Sequence, residues 1–474
     1  MNRTKSVFFF ACLIFLAEPP SAQVPTTPAG RQFTAWLDAF NSGDRQRIRK
    51  YIEVNFPSAN VENQIRFRER TGGFDLRRIE QATPTTLVGV IQERTWEQFA
   101  RFSVTVQASE PHAVARFDAT VIPRPAEFTS PPFAESAIVK ALQTKLEHEA
   151  AGDRFAGAVL LAQLENGRPR VVFSGAYGLA DRERTIANTL DTRFRVGSMN
   201  KMFTAVSILQ LVQAGKIKLA DPVGKYIPDY PNRDVASKVT IHHLLTHTGG
   251  TGDFFGPEFS AHRLELKTLS DYVKLLGARG PAFEPGSRFA YSNYGMLLLG
   301  VVIERVTGRT YYDYVADNVY KPAGMTRSGS EPESEFVADR SVGYTRAGGS
   351  ALRPNTATLP YRGSSAGGGY STVGDLLKFA TALMSNKLLN AEYTALLIAG
   401  KVDGLGDRKY AYGFEDGRRR KDGSGAVGHG GGAPGMNGDL RIYPKSGYVV
   451  AVLSNLDPPA ASQVSAFLDL RLPR

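Results

Sequence analysis

The sequence predicts an α+β protein in which an antiparallel sheet flanked by helices is combined with an all-helical lobe, preceded by a small α+β domain. Strand-like runs lie at residues 155–177 and again at 440–453, whereas Thr204 to Leu396 between them is dominated by helical spacing of apolar residues. One sheet is therefore assembled from two distant parts of the chain. A proline-rich, polar stretch from Ile122-Pro123-Arg124-Pro125 to Ser130-Pro131-Pro132 divides the chain, and ahead of it helices come before strands.

Residues 1–22 read as a signal peptide. Arg3 and Lys5 form a short positive region, an apolar core runs from Val7 to Ala17, and small residues follow at Ser21-Ala22. The apolar stretch is too short to span a bilayer. Cys12, the one cysteine of the 474 residues, lies inside it, so the mature chain has no thiol chemistry. The expected location is periplasmic or secreted, with no membrane span in the mature protein. The net charge of +11 comes from arginines interleaved with acids, as in Arg66, Arg68, Glu69, Arg70, and no basic block alternates with aromatics. That excludes a nucleic-acid partner and fits a solvated surface.

Residues 28–125 form the expected accessory domain. Phe33, Trp36, Leu37 and Phe40 have helical spacing, and the helix stops at Asn41-Ser42-Gly43-Asp44. A second helix carries Ile48, Tyr51 and Ile52; past Gly72-Gly73 the pattern alternates, as in Phe102, Val104, Val106 and Ala115, Phe117, Ala119. The order of elements resembles the cone-shaped domains related to nuclear transport factor 2. His112 stands alone and carries no catalytic set. Homodimerisation, substrate shielding or ligand capture are the roles this domain suggests. Residues 126–133 are the linker, and 134–474 the main domain.

That domain opens with a helix (Ala137, Ile138, Ala141, Leu142, Leu146) and two strands, Phe155 to Leu164 and Val171 to Tyr177, joined by the hairpin signal Glu165-Asn166-Gly167. Then comes Ser198-Met199-Asn200-Lys201, followed by a helical apolar run that closes at Gly215. A helix starting at the serine sets Ser198 and Lys201 on one face and puts Ser198 where free N–H groups favour negative charge. A lysine beside a serine hydroxyl in a partly dry site acts as a base once it loses its proton. The same tetrapeptide alone also fits an N-cap serine with an exposed lysine. Tyr291-Ser292-Asn293 stands directly before another apolar helix, and Val427-Gly428-His429-Gly430-Gly431-Gly432 precedes the last strands.

Ser-x-x-Lys, Tyr-x-Asn and His-x-Gly in this order resemble the serine hydrolases that include class C β-lactamases, DD-peptidases and related esterases. The resemblance spans about residues 134 to 457. Thr240 to Gly250 and the glycine loop Gly367 to Thr372 with Asp375-Leu376 resemble further landmarks of that family. It implies an acyl-enzyme on Ser198, with Lys201 kept neutral by neighbouring positive charge and partial burial, and Tyr291 relaying protons. It also implies that Asn293 positions Lys201 and the substrate, and that His429 raises the positive potential and contacts a substrate carboxylate or Tyr291. The oxyanion would lie between the N–H groups of Ser198 and Gly432, beside Gly431. No cofactor and no metal is implied. Histidine where β-lactamases usually carry lysine favours esterase or D-peptidase/amidase action over β-lactamase action. A penicillin- or peptidoglycan-binding module without turnover is the alternative from another class.

Three decoys accompany the motifs. Tyr230-Pro231-Asn232 lies in a proline-rich loop with no helix after it, and His247-Thr248-Gly249 comes before Tyr291, so His247 reads as structural, as do His242 and His243. Gly363-Ser364-Ser365-Ala366-Gly367 fits a nucleophile elbow, with Asp375 and His429 following, but lacks the buried strand that motif requires.

Overall fold

The computed structural model describes residues 23–474 apart from 129–132, 348, 350, 405, 407, 419–422 and 474. The expected signal peptide with Cys12, and half of the linker, lie outside the described residues. The chain divides into two compact units, one ending at Thr129 and one starting at Ser130.

In the first unit the Thr27 hydroxyl caps α1 (Pro28–Ser42) by accepting from Gly30 N, and Gly43, at φ +70°, ends it. α2 (Arg45–Asn55) and α3 (Val61–Thr71) follow. α3 has no counterpart in the sequence reading, because its charged run hides an apolar face made of little more than Ile65 and Phe67. Four strands, β1 (Phe74–Ala82), β2 (Thr86–Glu93), β3 (Phe99–Val106) and β4 (Val114–Ile122), make an antiparallel meander in chain order. Phe33 stacks on Phe102 at 4.2 Å between ring centroids, and Trp36 packs near Phe74 and Phe117, joining α1 to the sheet. His112 sits in the turn between β3 and β4 with Nδ1 3.0 Å from Gln107 O.

The second unit begins with α4 (Glu135–Ala151) and the hairpin of β5 (Gly157–Glu165) and β6 (Arg168–Tyr177). Its turn has Asn166 and Gly167 at φ +53° and +77°, the pair of positive values a two-residue hairpin loop needs. The strands that complete the sheet come at the other end of the chain: β7 (Val402–Asp403), β8 (Lys409–Tyr410), β9 (Glu415–Asp416), β10 (Val427–Ala433), β11 (Met436–Ile442) and β12 (Tyr448–Ser454). The order is β7-β8-β9-β10-β11-β12-β5-β6, each neighbouring pair antiparallel.

Both faces of this sheet are covered. Ala158, Leu160, Val449, Ala451 and Leu453 join the main core with α5 (Asn200–Gln213), α7 (Asn293–Thr307) and α8 (Val373–Met384). The alternate residues Val159, Leu161, Val450 and Val452 are equally buried toward the opposite face, where α9 (Ala460–Asp469) packs on β11 and β12. α5 and α7 are buried nearly all round, as helices enclosed by a lobe must be. A short helix α6 (Ile241–Leu245), capped by Thr240, belongs to the same lobe.

α7 passes close to the Gly363–Gly367 segment through Gly300, where an added Cβ would stand 2.6 Å from both Ser365 Cβ and Leu269 Cδ1. Gly300→Ala is therefore expected to cost about 1–3 kcal/mol by overpacking. Calorimetry should show a lowered melting temperature; an unchanged one would mean that the segment gives way freely.

Candidate active site

Ser198 does not begin a helix. It stands in a 3-10 turn, Gly197–Met199, that leads into α5 at Asn200, with Gly197 at φ +54°. The turn lies against β10: a Cβ on Gly431 would overlap Val196 O and stand 3.0 Å from Ser198 N. A Cβ on Gly197 would come within 3.2 Å of Gly432 N. Glycines on the strand let the two backbones meet, so the amides of Ser198 and Gly432 are neighbours.

Lys201, on the first turn of α5, is fully buried. Its Nζ lies 3.0 Å from Ser198 Oγ and 2.7 Å from Asn293 Oδ1, and it also bonds Ala366 O. Burial lowers the lysine to about 7, while the Asp253 carboxylate works in the opposite direction. Of the two expected causes, loss of solvent is the one at work and the positive neighbour is not. A neutral amine has two N–H bonds and one lone pair. Ala366 O can only accept, and Asn293 presents its oxygen because its Nδ2 donates to Asp253 Oδ2 at 2.8 Å. With both N–H bonds taken, the lone pair is left for the Ser198 hydroxyl proton.

The Tyr291 phenol stands beside Ser198, and its ring centroid lies 4.8 Å from Lys201 Nζ. Burial pushes the phenol well above its usual range, so it is protonated at neutral pH. Ser292 caps α7 by accepting from Gly295 N, which fixes Tyr291 and Asn293 on either side of the helix start.

His429, on β10, is buried, with its ring centroid 6.3 Å from that of Tyr291 and no bond to Tyr291 or Ser198. Nδ1 lies 2.5 Å from Gly430 O and Nε2 3.1 Å from Tyr410 Oη. The carbonyl accepts, so Nδ1 carries the hydrogen and Nε2 takes one from Tyr410. Burial holds the ring down to about 4 despite the nearby Glu415 carboxylate. His429 is therefore neutral at neutral pH and does not supply the positive potential expected of it.

His247 does not replace it. Its Nδ1 accepts from Ser292 N at 3.1 Å, and its ring lies 4.3 Å from Tyr291 and 4.6 Å from Tyr410. It steadies the Tyr291-Ser292 peptide from behind, a more specific structural task than the turn expected of it. His243 completes the cap of α6, and His242 bonds Tyr412. Tyr230 bonds the Tyr294 hydroxyl and none of the site residues. Ser365 is buried with Oγ 3.2 Å from Leu297 O, no nucleophile's position.

Three groups at the site were not singled out from sequence: Asp253, Ala366 O and Tyr410. Ala366 belongs to the elbow-like decoy, so that segment reaches the centre through its backbone and not through its serine. Tyr410 comes from a two-residue strand that leaves almost no periodic signal. Among the described residues no group of His, Cys, Asp or Glu is arranged to hold a metal.

Residues 142–472 match the Beta-lactamase family, so the match lies within the second unit. A penicillin binding protein from Bacillus halodurans shares 32% identity and superposes with a TM-score of 0.62, covering 72% of this chain and 99% of that one. A D-stereospecific amidohydrolase from Streptomyces sp. shares 28% identity with a TM-score of 0.58, covering 72% and 98%. The teichoic acid D-alanine hydrolase of Staphylococcus aureus (strain MRSA252) is 29% identical over 272 residues, 57% of this chain and 64% of that protein. The chain spans 40% to 76% of the length of the first curated relatives it matches. The chain belongs to the Beta-lactamase family and is a serine hydrolase of that fold.

Lys201 should titrate near neutral pH, protonated below about 7 and neutral above. Because Asp253 favours the ammonium form, Asp253→Asn is expected to move the midpoint to lower pH. NMR of lysine-labelled protein across pH 5 to 9 (roughly two units either side of that value) checks this, and an unmoved or raised midpoint would refute it.

Proposed function

We propose that this Beta-lactamase family member is an exported serine hydrolase that cleaves an ester or amide through an acyl-enzyme on Ser198. The observation that carries the reading is the buried Lys201 amine, whose two N–H bonds are taken by Asn293 Oδ1 and Ala366 O while Ser198 Oγ lies 3.0 Å away. Export rests on the signal-like residues 1–22; among the described residues no helix is long and apolar enough to cross a membrane.

Ser198 Oγ attacks the carbonyl carbon as Lys201 Nζ takes the hydroxyl proton. The carbonyl oxygen gains charge between the N–H groups of Ser198 and Gly432, where fixed donors in a dry site stabilise it. As the C–O or C–N bond breaks, the Tyr291 phenol passes its proton to the leaving oxygen or nitrogen and the proton on Lys201 restores the phenol. In the second half a water attacks the acyl carbon and gives up a proton through Tyr291 to Lys201. The C–Oγ bond breaks, Ser198 Oγ recovers a proton, and the acid departs. Tyr410 holds His429 in one tautomer beside Tyr291 and takes no part in bond making. The D-alanine hydrolase and D-stereospecific amidohydrolase among its relatives support an acyl group of D configuration.

A fluorophosphonate probe on the mature protein tests the nucleophile. Ser198→Ala should abolish labelling and lower p-nitrophenyl ester turnover by at least about a thousandfold, whereas Ser365→Ala should keep most of both. Tyr291→Phe should cost about a hundredfold or more. Ester turnover with slow chromogenic cephalosporin turnover fits the esterase or amidase reading. Fast cephalosporin turnover would make it a β-lactamase, and a labelled protein that releases no product a binding module. Labelling that survives Ser198→Ala would overturn the site.

A further inference from the structure

Fixed charges near the Ser198–Lys201–Asn293 cluster are unevenly matched. Glu415 is paired with Arg441 at 2.8 Å and Arg408 at 2.6 Å, Asp439 with Arg441 at 2.9 Å, and Asp416 with Arg418 at 2.9 Å. His429 is uncharged, and both its nitrogens are bonded within the protein. Asp253 is different. Its oxygens accept from Asn293 Nδ2 at 2.8 Å and from Phe255 N at 3.0 Å, both neutral donors. Among the described residues no cationic side chain lies within ion-pair distance of it, Lys201 being reached only through Asn293. The residue is half-buried beside the exposed Gly252, so a solute can approach the carboxylate. Its charge is felt at both Lys201 and Tyr291, which places it close to the reacting centre.

We propose that Asp253 recognises a protonated amine on the acyl part of the substrate, so that the site takes aminoacyl esters and amides with a free α-amino group. The inference rests on the serine-hydrolase reading and names its substrate class. In such a substrate the α-nitrogen is two bonds from the carbonyl carbon that Ser198 attacks, so its charge falls in the first layer of groups around Lys201 and Asn293. A carboxylate whose other partners are neutral amides is the one fixed charge there that an ammonium group would complete, with a charge-assisted hydrogen bond. Leaving groups bearing a carboxylate gain nothing, because the neutral, internally bonded His429 offers them no cation. Neutralisation of the amine, by acylation or by pH, removes the attraction.

Hydrolysis of D-alanine p-nitroanilide and N-acetyl-D-alanine p-nitroanilide is compared near pH 7, where an α-amine is largely protonated. The wild type should prefer the free amine by about tenfold or more in kcat/KM. In Asp253→Asn the ratio should fall toward one; using a ratio cancels any loss common to both substrates through Asn293. Equal turnover by the wild type, or a preference that survives in the variant, overturns the proposal. Protection of Ser198 from fluorophosphonate labelling by D-alanine amide against N-acetyl-D-alanine amide gives a second readout that needs no turnover. Selective protection by the free amine, lost in Asp253→Asn, supports the proposal, and equal or absent protection overturns it. The hydrolase reading fails separately, if Ser198 is not labelled at all.

Discussion

The valence of one buried amine governs this site. An ammonium ion enclosed by α5, α7 and the Gly363–Gly367 segment would need three acceptors and would lose its hydration; a neutral amine needs two acceptors and keeps a lone pair. The surroundings supply Asn293 Oδ1 and Ala366 O as acceptors, with the serine hydroxyl as the third neighbour. Each of the others has a stated support: Asp253 fixes which end of the Asn293 amide faces the lysine, and Ser365 bonds Leu297 O so that the next carbonyl is presented inward. Chemistry at Ser198 thus depends on groups that never touch it.

The sheet contributes a different constraint, that of close approach. β10 carries four glycines in the seven residues Val427–Ala433, and the one at 431 admits no side chain, because Val196 O occupies the space. The strand's one large polar group near the centre, His429, is sealed by Tyr410 on one nitrogen and by the neighbouring carbonyl on the other. Glu415 and Asp439 are matched by Arg441 and Arg408, so that charge is balanced within the protein.

How much could be read from the sequence depended on whether a feature had a periodic or chemical signature. Ser198, Lys201, Tyr291 and Asn293 stand at the starts of two strongly apolar helices, and the structure gathers all four around the Lys201 amine. His429 was legible by its glycines and the strands after it, but its charge state was not, since that follows from burial by distant residues. Lys201 is a mixed case: its depressed affinity for protons and the burial behind it follow the expectation, and the positive neighbour expected beside it has no part. Ala366 acts through a carbonyl, which every residue possesses, so no residue type announces it. The helix at Ser198 starts two residues later than its apolar spacing suggests, because Gly197 must take a left-handed conformation to meet β10. In the first unit α3 was missed because charge outweighs its few apolar positions.

The order of strands in the large sheet has a kinetic consequence. β5 is an interior strand, yet its partner β12 is separated from it by nearly the whole of the second unit; the Gln163 side chain bonds Ser446 O across 283 positions. The meander of the first unit pairs each strand with the next one in the chain and closes short loops. Loop closure over long separations slows folding. The first unit is thus the fast-forming part, whereas the sheet that backs Ser198 waits for the last strands to arrive. Until then the hairpin of β5 and β6 offers an open edge and an apolar face, so the same topology that builds the hydrolase site also makes the half-formed chain the state most prone to pair with the wrong partner.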